Sequence, residues 1–331
     1  MSIKDNLFKK EDKFLSLYAT KSKETKGRLR FEEPCAMRTE FQRDRDRIMY
    51  SKSFVRLKNK TQVFFSPEGD HYMTRLTHTL GVSQVARSIA RCLDLNEDLA
   101  EAISLGHDLG HTPFGHAGER VLNKLAKKGF KHNEQSLRVV DVIENDLKGL
   151  NLTIEVRDGI LNHKMSGNPM TLEGQAVSLA DRIAYLNHDV EDALRAGIIT
   201  ENDIPKNVKE VLGNSTKDRI NTLISSVYEA SYQKDKITLT KEVNEAINQL
   251  REFMFNTVYL TKKAMTEEEK AFKMLSALFD YFIKDPSKLP SIYKKLLQSY
   301  DEERVVCDYI SGMTDRYATK VFKQIFIPEN F

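Results

Sequence analysis

The segment GHDLGHTPFGH, residues 106–116, contains three of the eight histidines in the chain, together with an aspartate. The other five histidines also lie between residues 71 and 188. Histidine is the usual side chain for proton transfer near neutral pH and is a common metal ligand. Because every histidine falls in one stretch, the sequence predicts a single chemical centre. Pro113 and the glycines on either side of it indicate that a helix ends within this segment.

The composition is that of a soluble globular protein that can bury a large core. The chain has 331 residues, of which 40% are hydrophobic and 30% are charged. No apolar run approaches the roughly 18 residues that cross a bilayer, and the first residues lack the apolar core of a signal peptide. The three cysteines are odd in number and far apart, which indicates a reducing compartment. We therefore expect a cytoplasmic protein without a membrane segment.

The charge pattern gives little support to nucleic-acid binding. A formal net charge of +3 is too small to imply such a partner by itself. Basic residues between positions 21 and 56 could attract phosphate locally, although a solvated arm is the favoured interpretation. The run RDRDR, residues 43–47, could bind an effector nucleotide or a neighbouring subunit, but charge runs usually form solvated faces. The sequence has no glycine-rich phosphate loop, so a bound nucleotide would depend on side chains and metal.

Apolar residues recur at helical spacing along most of the chain, which predicts an all-α fold. Val82 and Val85 belong to such a pattern over residues 76–93. Residues 172–196 predict another helix, whose apolar face also includes Asp181. Since an ionised carboxylate is rarely buried alone, Asp181 needs a metal ion or a cationic side chain as its partner.

One segment departs from the helical pattern. TQVFFSPEGDHYMTR, residues 61–75, has apolar residues on both sides of a Pro-Glu-Gly-Asp turn, which predicts one short β-hairpin. Along the whole chain we predict an N-terminal arm over residues 1–33 and a catalytic core over residues 34–200. Residues 201–331 are predicted to form a C-terminal helical region packed on that core.

A candidate metal site combines residues from separated helices. His78 lies on the helix that precedes the His107-Asp108 pair, and Asp181 lies on a later helix. Two imidazoles and two carboxylates form a mixed nitrogen and oxygen shell, which suits borderline or hard divalent ions. With positions left open for water and substrate, the set predicts one divalent ion per chain. The candidates are manganese, magnesium, iron, nickel and cobalt, with manganese or magnesium favoured.

This ordered set resembles the HD-domain metal-dependent phosphohydrolases. The stretches RLTHTLGVSQVARSIAR, GHDLGHTPFGHAGERVLN, ADRIAYLNHDVEDALRAG and DYISGMTDRYA are similar to the dGTPase branch, the deoxynucleoside triphosphate triphosphohydrolases. The resemblance extends over roughly residues 34–325 and is weakest between residues 200 and 300. It implies an all-α HD-domain helical fold and a homo-oligomer, tetramer or hexamer. It also implies hydrolysis of a dNTP to deoxynucleoside and tripolyphosphate. The implied substrate range is either dGTP-like nucleotides or dNTPs in general.

The helix that follows Pro113 begins with a candidate proton-transfer pair. His116 and Glu119 are three residues apart, so the carboxylate can orient the imidazole. We interpret His116 as the general acid or base, with Glu119 behind it. The resemblance implies that His111 and His132 lie near the phosphates, and we include His132 in the catalytic set.

The resemblance also implies a set of substrate contacts. Arg75 and Arg182 are close in sequence to the candidate ligands His78 and Asp181, and their family counterparts contact phosphate. The counterparts that lie close to the sugar are Arg56, Leu57, Tyr185 and, near the 3′-hydroxyl, Asp189. No role is assigned to the three histidines that have only proximity to recommend them, His71, His163 and His188.

Two other functions remain open at this point. The same metal shell could serve a nucleotidase or phosphodiesterase that acts on mono- or cyclic nucleotides. Alternatively, the protein could be a regulator that binds dNTPs without turning them over. The pair of His116 and Glu119 disfavours the regulator, since binding alone needs no proton transfer. Base preference, subunit count and activation by a second dNTP as effector are not encoded in these motifs.

Overall fold

The computed structural model describes residues 2–62, 73–259 and 262–328. Within these ranges the regular structure is helical, which confirms the all-α class, and no β-strand is found. No helix in the described part of the chain is both long enough and apolar enough to span a lipid bilayer. In chain order, the α-helices of this part are α1 (Ile3–Phe14), α2 (Glu40–Met49), α3 (Lys52–Arg56), α4 (Arg75–Cys92), α5 (Glu97–Gly106), α6 (Gly115–Leu125), α7 (His132–Arg138), α8 (Glu144–Leu147), α9 (Ile154–Asn162), α10 (Leu172–Arg195), α11 (Lys206–Leu212), α12 (Thr216–Ser231), α13 (Lys241–Met254), α14 (Lys262–Lys284), α15 (Ser291–Leu296), α16 (Glu302–Ser311) and α17 (Asp315–Phe326).

The two long helices predicted from apolar spacing are both present, as α4 and α10. Short polar residues determine where two of the helices with candidate ligands begin. The side chain of Thr171 accepts a hydrogen bond from Gly174 N at the start of α10, and Asn96 accepts one from Leu99 N at the start of α5. Such caps satisfy backbone N–H groups that the first helical turn leaves without partners.

The β-hairpin predicted at residues 61–75 is not seen in the described part of this segment. The described ends of this segment meet in an isolated antiparallel bridge between Thr61 and Thr74, and α4 begins at the next residue. A single bridge lacks the repeated hydrogen bonds that define a pair of strands. Apart from Met73, the apolar residues on which the prediction rested fall in residues 63–72, outside the described residues, and so does His71.

The chain folds as two compact units, each drawn from three separate segments. The first unit contains Met1–Tyr50, His78–His107 and Leu150–Thr261. The second unit contains Ser51–Thr77, Asp108–Gly149 and Lys262–Phe331. These units cut across the three consecutive regions that we predicted from the sequence, and the boundaries after residues 33 and 200 stay predictions.

In the first unit, α5 packs closely against α9. The two helices approach each other closely at Gly106, the last residue of α5, where a Cβ atom would lie 2.5 Å from Ile160 Cδ1. A larger residue at this position would push the two helices apart. His107 follows directly, so this contact fixes the place of the first candidate ligand in the GHDLGHTPFGH segment.

The N-terminal arm is tied into the first unit by ion pairs. Arg28 Nη2 lies 2.8 Å from Glu40 Oε2, and Arg28 Nη1 bonds the fully buried carboxylate of Asp44. The charged residues of the run RDRDR, residues 43–47, also form ion pairs within the first unit. Glu32 and Glu40 are among their partners. Its charges are therefore engaged within the unit rather than directed only at solvent or at an effector.

In the second unit, α6, α14, α16 and α17 share one hydrophobic core. Leu275, Leu278 and Phe282 of α14 belong to the same buried cluster as Leu122 of α6. Their spacing of three to four residues forms a single apolar stripe, and burying each such side chain contributes about 1.5–3 kcal/mol. This core supports α6, the helix that carries the candidate proton-transfer pair.

Candidate active site

Three of the four predicted metal ligands converge in the first unit. His78 on α4 and His107 at the end of α5 direct their Nε2 atoms toward Asp181 on α10, at 3.0 Å and 3.7 Å from Asp181 Oδ1. Both imidazoles are buried, whereas 29% of the Asp181 side chain is exposed. Two imidazole nitrogens and a carboxylate oxygen, open on one side, fit a divalent ion with room for further ligands.

Asp108, the fourth predicted ligand, directly follows His107 in the chain and belongs to the second unit. There, Arg75 Nη1 donates to Asp108 Oδ2 at 2.9 Å, and His111 Nε2 lies 3.3 Å from Asp108 Oδ1. The ion pair is buried on both sides. Because Arg75 neutralises Asp108 in this structure, the expected contact of Arg75 with phosphate stays a prediction.

The imidazole nitrogens that face away from Asp181 also have partners. His107 Nδ1 lies 2.6 Å from the carbonyl oxygen of Ser104, and His78 Nδ1 lies 3.3 Å from His188 Nδ1. Contacts of this outer kind fix the orientation of a ligand ring. Burial, and next the neighbouring His78, lower the pKa of His188 to about 4. His188 is therefore neutral at neutral pH.

A second group of titratable side chains lies in the second unit. Glu119 Oε2 is 2.8 Å from His132 Nδ1 and 3.3 Å from His116 Nδ1, and His132 N donates to Glu119 Oε1 at 2.9 Å. Burial alone would raise the pKa of Glu119, but hydrogen bonds from His116 and His132 outweigh it and lower that pKa. Glu119 is therefore an anion that both imidazoles share. The sequence predicted its contact with His116 but not its contact with His132.

Exposure distinguishes the histidines of this group. The exposed fraction of the side chain is 48% for His116, 6% for His132 and 2% for His111. Burial lowers the pKa of His111 well below its usual value, and the charge of Arg75 adds to this effect. His111 is thus neutral, and it stacks on His132 with ring centroids 3.9 Å apart. His116 is the member of the group best placed to exchange a proton with a bound molecule.

The same four side chains of the second unit are also a candidate for metal binding. His111, His116, Glu119 and His132 offer ligand atoms that all lie within 4.8 Å of one another. Three imidazoles and a carboxylate would suit zinc or a similar ion. The metal content of variants in each group distinguishes the two candidate sites.

The loop before α6 is held by residues from both ends of the second unit. Phe114 adopts a left-handed conformation (φ 61°) at the N-cap of α6, which costs a non-glycine residue roughly 1–2 kcal/mol. Phe114 N donates to Asp315 Oδ1 at 2.9 Å, and Thr61 N donates to Asp315 Oδ2 at 2.9 Å. The buried Lys60 donates through Nζ to the carbonyl oxygen of His111. These contacts set the direction in which α6 begins.

We expect Asp315→Ala to lower the free energy of unfolding by about 2–3 kcal/mol, because Phe114 N and Thr61 N lose an anionic acceptor. Urea denaturation measures this loss. Asp315→Asn keeps an oxygen acceptor and should have an intermediate stability, and Arg316→Ala at the exposed neighbouring position is the control. A loss below about 0.5 kcal/mol, the range of ordinary surface substitutions, would contradict the contact.

Two tyrosines and an aspartate form a further group in the first unit. Tyr185 lies one helical turn after Asp181 on α10, and its ring centroid is 6.0 Å from that of Tyr259. Tyr259 Oη donates to Asp189, one turn further along α10. Burial, followed by the charge of Asp189, raises the pKa of both tyrosines, so both keep their phenolic protons. This group could contact a sugar through a ring face and a carboxylate.

Arg182 is held by neutral partners. Its Nη2 donates to Asn248 Oδ1 at 2.6 Å, and its Nη1 donates to Asn244 Oδ1 at 3.4 Å. Burial lowers the pKa of Arg182, and the nearby charge of Arg251 lowers it further. Arg182, whose partners here are amides, and the nearby charge of Arg251 favour the binding of an anion, which is compatible with the predicted phosphate contact of Arg182.

Arg56 and Leu57 lie in the second unit. Arg56 Nη2 donates to Ser53 Oγ at 2.6 Å and lies 3.8 Å from Glu144 Oε1. The side chain of Leu57 is fully buried. Their contacts with a sugar stay predictions, and the burial of Leu57 gives it a role in packing.

Four polar residues near Arg182 and Asp189 were missed by the sequence analysis. They are Asn244, Asn248, Arg251 and Tyr259. The first three follow one another at intervals of four and three residues on α13, so they share one helix face. That polar stripe was the available signal. Tyr259 ends a π-helical segment, Phe255–Tyr259, and no spacing connects it with Asp189, its partner 70 residues earlier.

Comparisons with known proteins agree with this fold. The family model described as HD domain matches residues 75–186, and the one described as phosphohydrolase-associated domain matches residues 237–324. A solved phosphohydrolase from Bacteroides thetaiotaomicron aligns with a TM-score of 0.55 at 19% identity, covering 85% of this chain and 68% of its own. That likeness supports the fold alone. The helical fold with its paired histidine and aspartate residues thus defines an HD-domain protein.

Two relatives have the name deoxyguanosinetriphosphate triphosphohydrolase-like protein. The one from Caldanaerobacter subterraneus subsp. tengcongensis is 56% identical over 328 residues, 99% of this chain and 97% of the relative. The one from Clostridium perfringens strain SM101 is 50% identical over 338 residues, 99% of each protein. The chain belongs to this family of HD-domain proteins, the deoxyguanosinetriphosphate triphosphohydrolase-like proteins. Membership supports a hydrolase, and HD domains are metal-dependent.

Proposed function

We propose that the protein hydrolyses deoxynucleoside triphosphates to deoxynucleoside and tripolyphosphate. The proposed substrate range is either dGTP-like nucleotides or dNTPs in general. The observation that carries this proposal is the convergence of His78, His107 and Asp181, on a helix that also carries Tyr185 and Asp189. Metal-binding donors next to a tyrosine and aspartate group fit a phosphorylated sugar as ligand. The names of the two relatives point to the same substrate class.

We infer that His78, His107 and Asp181 hold one divalent ion, manganese or magnesium by preference. Asp108 is the proposed fourth ligand, because it is the residue next to His107 and completes the predicted set. When bound, such an ion supplies charge stabilisation at the α-phosphate and lowers the pKa of a water ligand. The three side chains of the first unit contribute the fixed positions that this chemistry needs.

The side chains around the ligands have proposed roles in binding the substrate. Arg182, with Arg251 beside it, binds phosphate oxygens through a planar fork of N–H donors. Tyr185 packs its ring on the deoxyribose. Asp189, which accepts a hydrogen bond from Tyr259, is the proposed acceptor for the 3′-hydroxyl. From the resemblance, four residues of the second unit complete the substrate contacts: Arg56, Leu57, Arg75 and His111.

The proposed reaction breaks the bond between the α-phosphorus and O5′. Water adds its oxygen to phosphorus, one water proton goes to solvent, and the O5′ alkoxide leaves with a proton from the enzyme. We assign this proton transfer to His116, the exposed imidazole of the second unit. Glu119 holds His116 and His132 through hydrogen bonds, and His132 is the proposed second member of the catalytic set.

Purified protein with Mn²⁺ is expected to convert a dNTP to deoxynucleoside and tripolyphosphate in equal amounts. Each dNTP is incubated alone and together with a second dNTP, and the products are separated by chromatography. In H₂¹⁸O the label should enter tripolyphosphate and not the deoxynucleoside, because water attacks phosphorus. Turnover of mono- or cyclic nucleotides without tripolyphosphate would favour the nucleotidase or phosphodiesterase alternative, and binding without turnover would favour a regulator.

Three further expectations belong to this proposal through the family resemblance. They are a homo-oligomer, tetramer or hexamer, a cytoplasmic location, and activation by a second dNTP as effector. The paired dNTP incubations test the effector, and light scattering of the purified protein gives the number of subunits.

A further inference from the structure

The two candidate histidine ligands are oriented in different ways. His107 Nδ1 lies 2.6 Å from the carbonyl oxygen of Ser104. A carbonyl oxygen can only accept, so His107 Nδ1 is the donor, and in a neutral ring the lone pair is then on Nε2. His78 Nδ1 faces another imidazole nitrogen, His188 Nδ1, at 3.3 Å. Because that partner can donate or accept, the backbone does not fix the tautomer of His78.

Two proton arrangements fit the contacts of His78. In the first, His78 Nε2–H donates to Asp181 Oδ1 at 3.0 Å, and His188 Nδ1–H donates to His78 Nδ1. In the second, His78 Nδ1–H donates to His188 Nδ1, and the proton of His188 is on its Nε2. The second arrangement leaves a lone pair on His78 Nε2 beside Asp181. It is therefore the arrangement that a metal ion requires.

We propose that His188 is a positioning residue of the metal centre, which accepts a hydrogen bond from His78 Nδ1 and so selects the tautomer whose Nε2 binds the ion. The inference rests on the metal site of the proposed function. His188 is not itself a ligand in this proposal, and it acts through His78. Outer hydrogen bonds of this kind orient ligand histidines and raise their basicity, and their loss typically costs about 10- to 100-fold in metal affinity.

The backbone of α4 makes room for His188. A Cβ atom at Gly81 would lie 2.7 Å from His188 Cε1 and 3.0 Å from His188 Nε2. These separations are shorter than van der Waals contact, so the ring could not keep its place against an alanine. Gly81 is three residues after His78, and the His78 and His188 ring centroids are 5.5 Å apart. The absence of a side chain at Gly81 thus leaves the space that the His188 ring occupies.

The test measures Mn²⁺ affinity of the full chain by electron paramagnetic resonance titration. We expect His188→Leu, which removes the acceptor, to weaken binding by about 10- to 100-fold. His188→Asn is the matched control, because its side-chain oxygen can accept the hydrogen bond, and it should bind nearly as well as the wild type. Gly81→Ala should weaken binding as His188→Leu does, and the double variant should lose no more than either single variant.

A second measurement reports the tautomer itself. In ¹⁵N NMR spectra of the Mg²⁺-loaded protein, His78 should carry its proton on Nδ1, and His188 should carry its proton on Nε2. A residue that only fills space would leave this assignment unchanged when it is replaced. Thermal unfolding of the metal-free variants shows which of them fold. If His188→Leu does not fold, the Mn²⁺ affinities of His188→Asn and Gly81→Ala, together with the tautomers of His78 and His188, test the proposal.

The outcomes separate this inference from the proposed function. If the wild type binds no Mn²⁺, the metal centre of the proposed function fails and the inference fails with it. If the wild type binds Mn²⁺ and His188→Leu and Gly81→Ala bind it equally well, only the inference fails. A proton on His188 Nδ1 in the Mg²⁺-loaded wild type would also overturn it, because His188 would then be the donor.

Discussion

Replacing Asp181 with alanine is expected to remove the bound metal ion and to lower kcat/KM by about a thousandfold or more. Asp181 Oδ1 faces the Nε2 atoms of both His78 and His107, so its loss leaves two imidazoles without the carboxylate between them. A metal ion at a phosphoryl group stabilises charge in the transition state by several kcal/mol. A loss of about 4 kcal/mol corresponds to about a thousandfold in rate.

Elemental analysis after dialysis measures the metal content, and dNTP turnover measures kcat/KM. Glu191→Ala is a matched control, because it removes a carboxylate from the same helix, α10, ten residues further along. It should keep both metal and activity. Equal metal content in Asp181→Ala and the wild type would overturn the ligand assignment and would direct attention to His111, His116, Glu119 and His132.

Replacing His116 with alanine is expected to lower kcat by about 10²- to 10⁴-fold, the usual contribution of a general acid or base. Among the histidines that contact Glu119 or stack beside it, His116 has the most exposed side chain. Protonation of the O5′ leaving group needs a side chain that is accessible to a bound molecule, and the exposure of His116 is the reason for its proposed role. Metal content should stay at the wild-type level, since the proposed ligands are other residues.

Steady-state kinetics with a dNTP and metal analysis of the same samples test this prediction together. Arg120→Ala is the control, because Arg120 is an exposed neighbour on α6 and pairs with Glu268 rather than with the histidines. A His116→Ala variant that keeps kcat within a few-fold of the wild type would exclude His116 as the proton donor. Loss of metal from this variant would place an ion in the histidine group of the second unit.

The helices were predictable because their signals are local. Val82 and Val85 repeat at helical spacing, and the same pattern with Asp181 on the apolar face marked α10. Asp181 was also recognisable as a candidate ligand, since a carboxylate on a buried face requires a partner. Spacing alone brought His116 and Glu119 together, because residues three apart on a helix are neighbours.

The contacts that sequence reasoning missed connect residues far apart in the chain. His132 reaches Glu119 from the next helix, and Tyr259 reaches Asp189 across 70 residues. His188 reaches His78 across 110 residues, so no local sequence pattern predicted this contact. Such pairs depend on how helices pack, and short-range spacing carries no information about them.

The two compact units could not be recognised from local spacing for the same reason. Each unit takes segments from three parts of the chain, so neighbours in space are often distant in sequence. The charged arm shows this at the level of single residues. Arg28 looked like part of a solvated arm, but it pairs with the buried carboxylate of Asp44.

The bond between Phe114 and Asp315 has a consequence for how the protein matures on the ribosome. Its two partners are 201 residues apart in the chain, and synthesis at about 5–20 residues per second separates their emergence by roughly 10–40 s. During that interval α6 also lacks the apolar partners that α14, α16 and α17 provide. A nascent chain therefore carries His116 for many seconds before the contacts that hold the start of α6 can form.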